Sequence, residues 1–231
     1  MKTYQPIYKD GRLFECIKRG EFSLLPSMIY DSCYEYERVC FDRILLIIND
    51  LINLGIYEGK VLDLGCNIGL FSHSMASRGY QVVGVDNNAA PDVQGYYPEP
   101  CLSMANKLSD VYNVYPHFVE ADIMDYVMNV EEHFNVIFLL NIVHHFFNGY
   151  AKSGQGKRDL EHIFIFLKEL LKKTEILYFE GPENEGIPYY SEGIEFPEWF
   201  KNVGGNISVT SIGMTCGANG RLRNVYRIQT N

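Results

Sequence analysis

The sequence predicts an α/β fold: a seven-stranded, mostly parallel sheet with a C-terminal antiparallel hairpin and helices on both faces. Three observations predict it. Between Lys60 and Phe179, short apolar runs alternate with longer stretches whose apolar residues recur at helical spacing, the pattern of consecutive βαβ units. The first of those runs ends in a glycine-bearing turn, Gly65-Cys-Asn-Ile-Gly69, that leads directly into a helical stretch. The last two runs have no helix between them and are joined by a loop of glycine and asparagine, which suits a hairpin.

Taken in order, residues 1–30 are aromatic-rich without a clean period and read as an irregular segment with short helices. From Asp31 the pattern changes, and Val39, Ile44, Leu45, Ile47, Ile48, Leu51 and Ile52 recur at helical spacing until Gly55 stops them. Residues 1–57 are therefore expected to form an N-terminal helical extension covering the site, and residues 58–231 the main domain. Strands are expected at 60–64, 81–86, 115–120, 135–140 and 175–179, the fourth of them very apolar, as in a parallel sheet with helices on both faces. The intervening helices fall at 70–78, closed by Gly79, at 103–113, in a short stretch after Asp122, and at 159–173. A last helix spans 196–202, with Pro197 tolerated in its first turn, before hairpin strands at 207–214 and 222–229.

Composition narrows the function. A net charge of −9 argues against broad binding to nucleic acid, which depends on neutralising phosphates with Lys and Arg. It leaves room for a local basic patch around a small anionic acceptor. The six cysteines (Cys16, Cys33, Cys40, Cys66, Cys101, Cys216) include no CxxC pair, so neither a structural metal site nor a disulfide framework is expected. No apolar run reaches membrane-spanning length, and the polar start lacks the apolar core of a signal peptide. A cytoplasmic chain with free thiols is the expectation.

The turn after the first strand carries the chemistry. Gly65 and Gly69 let the backbone bend sharply and approach a ligand closely. A dinucleotide site needs a Gly-x-Gly-x-x-Gly spacing that this turn lacks, which disfavours a nicotinamide-dependent oxidoreductase. It has Asp63 at its entrance instead, a carboxylate that repels a pyrophosphate and favours a cation. S-adenosylmethionine carries an ammonium and a sulfonium and no phosphate. Asp86, at the end of the second strand, can accept from both ribose hydroxyls. Asp122, after the third, can accept from an adenine amino group with Ile123 over the ring.

With residues 61–88, Glu120-Ala-Asp-Ile123 and 135–145, the chain resembles the class I S-adenosylmethionine-dependent methyltransferases over roughly 60–228. The resemblance implies a Rossmann-like sheet with S-adenosylmethionine as cofactor and S-adenosylhomocysteine as product. It further implies that Asp63, Gly65, Asn67 and Gly69 surround the methionine part, Asp86 the ribose and Asp122 the adenine. Cys66, Asn87, Ile123 and Asn141 complete the expected cofactor-binding set. Asn67 stands where the family usually has a middle glycine.

The acceptor side is read from Asn141-Ile-Val-His144-His145, where the fourth strand ends. His144 and His145 are the expected catalytic pair, as general base or as anion donors; a metal role is disfavoured because adjacent residues do not readily share one ion. The loop 148–158, with Lys157 and Arg158, reads either as a solvated loop or as a lid over an anionic acceptor, and residues 180–190 as a loop beside the pocket. Tyr34, Tyr36 and Arg38, together with Gly-Cys-Asn-x-Gly, Val-His-His and Glu-x-Pro, resemble methyltransferases acting on terminal phosphates, both the RNA 5′-phosphate capping type and the type that ends bacterial polysaccharide chains. That resemblance implies that Tyr34, Tyr36, Arg38, Lys157 and Arg158 bind substrate. The expected reaction is methyl transfer to an oxygen or nitrogen of a small-molecule or glycan acceptor, phosphorylated or not. RNA-terminal phosphate transfer and a non-catalytic cofactor-binding subunit are the alternatives.

Overall fold

A computed structural model describes residues 41–88, 99–149, 156–181, 196–216 and 222–230. Tyr34, Tyr36 and Arg38, the centres of the loops after the fourth and fifth strands, and the hairpin loop lie outside the described residues. In chain order the elements are α1 (Phe41–Asn53), β1 (Lys60–Leu64), α2 (Leu70–Ala76), β2 (Gln81–Asp86), α3 (Cys101–Tyr112), β3 (His117–Glu120) and α4 (Ile123–Asn129). They continue with β4 (Phe134–Leu140), α5 (Val143–Asn148), α6 (Leu160–Leu171), β5 (Thr174–Glu180), α7 (Phe196–Val203), β6 (Ile207–Cys216) and β7 (Leu222–Thr230).

The strands form one seven-stranded sheet in the order β3-β2-β1-β4-β5-β7-β6. β1 to β5 pair in parallel, while β7 runs antiparallel to both β5 and β6. The expected Rossmann-like class I methyltransferase arrangement is therefore the observed one. Strand order reverses between β1 and β4, and the crevice at their carboxyl ends is where an open α/β sheet accommodates ligand.

Alternation along β4 accounts for the layers. Val136, Phe138 and Leu140 join the core under α1, α2 and α3, while Ile137 and Leu139 join the core under α4, α5, α6 and α7. The helix ends follow local chemistry. Asp122 caps α4 by accepting from Met124 N and Asp125 N, and Asp159 caps α6 by accepting from His162 N. Asn113 ends α3 in a left-handed conformation, φ 54°.

Two differences from the sequence reading bear on the site. The chain does not run on extended past β4; residues 143–148 fold into α5. A helix of six residues is too short to announce a period. Glu180, read as the start of a loop, is the last residue of β5 and is fully buried.

α1 lies along β5 and is fastened by charge as well as packing. Its Ile44, Leu45, Ile47, Ile48 and Leu51 are buried in the first core. Asp50 accepts from Tyr178 Oη at 2.6 Å and from Arg227 Nη1 at 2.7 Å, joining α1 to β5 and β7. Burial and the neighbouring Asp50 carboxylate push the Tyr178 hydroxyl far above its usual pKa, so it donates throughout the accessible pH range. Asp50→Ala should strand the Arg227 cation beside a buried phenol. A loss of about 2–4 kcal/mol in urea unfolding is expected, with far-ultraviolet circular dichroism unchanged.

Candidate functional site

The turn after β1 is built from left-handed residues. Gly65, Asn67 and Gly69 have φ of 72°, 55° and 77°. The backbone folds against β2, with Gly65 N and Cys66 N both donating to Val85 O at 2.8 and 3.1 Å. A Cβ at Gly65 would stand 2.2 Å from Ile142 Cδ1, and one at Gly69 2.6 Å from Phe118 Cζ, so both glycines are required by space as well as by φ. Asparagine tolerates the left-handed region because its short side chain bonds locally, and here Ile68 N donates to Asn67 Oδ1 at 2.8 Å. That explains why Asn67 can replace a glycine.

Asp86 fastens this turn. Its Oδ2 accepts from Asn67 N at 2.9 Å and its Oδ1 from Asn88 N at 2.8 Å. These two bonds hold the carboxylate at the carboxyl end of β2, against the turn. Asn88, which the sequence reading passed over, adopts φ 57° and bridges β3 and α3: its amide donates to Glu120 Oε2 at 2.7 Å, and its Oδ1 accepts from Leu102 N at 3.0 Å. Asn87 is half-buried beside it.

Asp63 behaves differently from the expectation. It lies within β1 and is nearly inaccessible at 5% exposure, with Oδ2 accepting from Ser72 Oγ of α2 at 2.6 Å. Burial pushes its carboxyl up to about 6, against smaller lowering by the Ser72 hydrogen bonds. Its influence on the turn runs through Ser72 and α2. Cys66 is buried too, and burial raises its thiol well above the usual range, so the side chain is a neutral wall.

Asp122 is both an expected adenine acceptor and the α4 cap. Its Oδ1 serves the cap, and its Oδ2 stands 3.8 Å from Arg158 Nη2. Ile123 is buried beneath it. Arg158, assigned from sequence to the acceptor side, is thus held beside Asp122, with its backbone N–H on Phe146 O at 2.7 Å. Lys157 is exposed, and no described contact brings it to the histidines.

The end of β4 carries the two histidines expected on the acceptor side. Asn141 turns at φ 60°, its N–H donating to Glu180 O at 2.7 Å, and α5 then places the His144 and His145 rings 4.0 Å apart. Burial lowers the His145 pKa from its usual value, partly offset by a hydrogen bond with the Gly149 backbone, so its neutral form is favoured. Behind them lies a network that sequence reasoning missed. The Glu180 carboxylate meets Arg43 Nη1 of α1 at 3.0 Å and Arg223 Nη1 of β7 at 3.4 Å, and that same Arg223 nitrogen donates to Asn141 Oδ1 at 2.6 Å. One signal was available: Arg43 and Asp50 stand two helical turns apart within the apolar stripe of α1, an unusual place for charge unless it is paired. Among the described residues, no group of three or more His, Cys, Asp or Glu side chains could hold a metal ion.

The raised Asp63 carboxyl makes stability pH-dependent with a defined sign. The folded state holds this proton more tightly than the unfolded chain, whose Asp has the ordinary value of 3.8. The contribution is therefore full below about pH 4, falls as pH rises towards 6, and is flat above. The unfolding free energy of Asp63→Asn relative to the parent should rise by about 3 kcal/mol across that window in denaturant titrations. A difference independent of pH would contradict the assignment.

Comparisons with known proteins agree with this geometry. A family model described as methyltransferase domain matches residues 62–177, half of the chain. The ubiquinone biosynthesis O-methyltransferases of Yersinia pestis (strain Pestoides F) and Yersinia pseudotuberculosis (serotype O:3, strain YPIII) are 31% identical over 91 residues, 39% of this chain and 34% of theirs. The chain thus aligns with about a third of the length of these curated relatives. In fold it is similar to WbdD (TM-score 0.62, 23% identity, 83% of this chain and 40% of that one). It is also similar to magnesium protoporphyrin IX methyltransferase from Synechocystis PCC 6803 with bound S-adenosylmethionine (TM-score 0.59, 13% identity, 99% and 100%). With the family model over β1 to β5, the strand order and the left-handed turn in agreement, the chain belongs to the methyltransferase-domain family, the class I S-adenosylmethionine-dependent methyltransferases.

Proposed function

We propose that this chain transfers the methyl group of S-adenosylmethionine to an oxygen of a small-molecule or glycan acceptor, with a phosphate or other anionic oxygen as the preferred target. The observation that carries the reading is the His144–His145 pair, set at the carboxyl end of β4 beside the strand-order reversal. The O-methyltransferase relatives support an oxygen acceptor.

Bound cofactor supplies an electrophilic methyl on a sulfonium. The chain's own residues do the rest. The turn from Gly65 to Gly69 gives the methionine part close access to backbone, Asp86 takes the ribose hydroxyls, and Asp122 Oδ2, which stands 3.8 Å from Arg158 Nη2, takes the adenine amino group. Transfer requires the acceptor oxygen on the line of the breaking bond, about 3 Å from the methyl carbon. With a hydroxyl acceptor, His145 takes up the proton, a role suited to a ring kept neutral by burial. With a phosphate, already ionised, the two rings orient oxygens. Arg158 stands beside Asp122 with its backbone N–H on Phe146 O of α5, so it links the proposed adenine end to the helix that carries the histidines, with Lys157 next to it in the chain.

Calorimetry should detect S-adenosylmethionine and give no signal with NAD. Asp86→Ala should weaken cofactor affinity by about a hundredfold, since it removes a ligand acceptor and frees the turn. A panel of phosphorylated sugars, short 5′-phosphorylated RNAs and phenols identifies the acceptor by methyl transfer. On the acceptor so found, His144→Ala and His145→Ala should lower kcat by about 10²–10⁴-fold with cofactor affinity nearly intact. Lost cofactor binding in those variants would move the histidines out of the acceptor pocket.

A further inference from the structure

We propose that Arg223 is a positioning residue that fixes the polarity of Asn141, making its side chain a hydrogen-bond donor to a ligand oxyanion at the transfer edge. Arginine has only donors, so the Asn141 atom facing Arg223 Nη1 at 2.6 Å must be the oxygen. The amide is planar, and its NH₂ therefore leaves from the opposite corner, away from the guanidinium. Among the described residues, no side chain or carbonyl accepts from that NH₂, and Asn141 is only half-buried, so a ligand can reach it.

Three features make the orientation rigid. Asn141 is held at φ 60° with its N–H on Glu180 O, so the side chain cannot swing with its backbone. Arg223 is itself 7% exposed and shares the Glu180 carboxylate with Arg43, which is 6% exposed. Flipping the amide would press NH₂ against a buried guanidinium, an uncompensated donor–donor contact. An amine ligand meets the wrong polarity here, while a carboxylate or phosphate oxygen meets the right one. The inference rests on the reading that transfer occurs at the end of β4. Two sources of oxyanion are open, the carboxylate of the cofactor's methionine part and the acceptor itself.

The side-chain ¹⁵N–¹H₂ signal of Asn141, identified by its disappearance in Asn141→Asp, reports directly on this donor. It should shift on adding S-adenosylhomocysteine but not 5′-methylthioadenosine if the cofactor carboxylate is the partner. It should shift on adding inorganic phosphate over 5′-methylthioadenosine if the acceptor oxyanion is. Methylamine should leave it unmoved. Asn141→Asp keeps an acceptor for Arg223 but replaces the donor with a negative oxygen, so affinity for the responding anion should fall about tenfold or more by calorimetry. In Arg223→Met the anion response should weaken by about tenfold, and Arg223→Lys should restore part of it. A signal that ignores all the anions, or that answers to methylamine, overturns the proposal, as does an Arg223→Met protein with the parent's response. The parent protein alone decides the donor question if the Arg223 variants fail to fold. Calorimetric binding of S-adenosylhomocysteine with a silent Asn141 signal would sink this inference and leave the cofactor reading standing.

Discussion

The reversal of strand order between β1 and β4 is the constraint on which the rest of the molecule depends. Because successive strands leave in opposite directions from that point, the chain must turn away sharply at their carboxyl ends and leave a crevice between them. L-residues do not turn this way cheaply. The positions that do so are Gly65, Asn67 and Gly69 after β1, Asn88 after β2 and Asn141 after β4, all at positive φ. A left-handed residue other than glycine costs about 1–2 kcal/mol before local bonding relieves it, and asparagine is the residue best able to find that relief. Each asparagine here is tied down by its neighbours: Asn67 by Asp86, Asn88 by Asp86 and Glu120, Asn141 by Glu180 and Arg223. The strain and the hydrogen bonds that hold it sit together at the edge where ligand binds.

α1 braces that edge from outside the βαβ pattern. Arg43 and Asp50 are seven residues apart on one helix face, and Glu180 and Tyr178 are two apart on one strand face, so the helix lies along β5 with two polar attachments. Buried ion pairs add little net stability, because desolvation cancels much of the attraction. Their effect is to fix register. A helix held by Ile and Leu contacts alone can slide by part of a turn at small cost, whereas one that must bring a guanidinium to Glu180 and a carboxylate to Arg227 cannot. The helix before the fold proper thereby sets where the Glu180 carboxylate sits, and through Arg223 where Asn141 sits.

What could be read from sequence was local, and what could not was long-range. The parallel strands were legible as continuous apolar runs, and the turn as a pair of glycines at the end of the first. Asp86 was legible as an acid closing the second strand, and the structure places it on the turn through Asn67 N. α5 was not, since a six-residue helix presents too little period to separate from a strand end. Lys157 and Arg158 were grouped with the histidines because both follow β4, yet the chain carries Arg158 across to Asp122 instead. The Arg43–Glu180–Arg223 cluster joins residues 43, 180 and 223, which only closure of the sheet brings together. Charge inside the apolar face of α1 was its single trace.

The three acids that marked the cofactor in the sequence turn out to be unequal. Asp63 is committed to Ser72 and largely enclosed, so it shapes the turn from behind. Asp122 spends one oxygen on the α4 cap and has a guanidinium near the other. Asp86 ends β2 at the crevice, with Asn67 N on one carboxylate oxygen and Asn88 N on the other. Recognition built this way is not a set of loose carboxylates awaiting a cation. The same hydrogen bonds that hold the turn in its left-handed form also aim the carboxylate proposed to meet the ribose, so the turn is fixed by the chain's own contacts and little ordering is left for a ligand to supply.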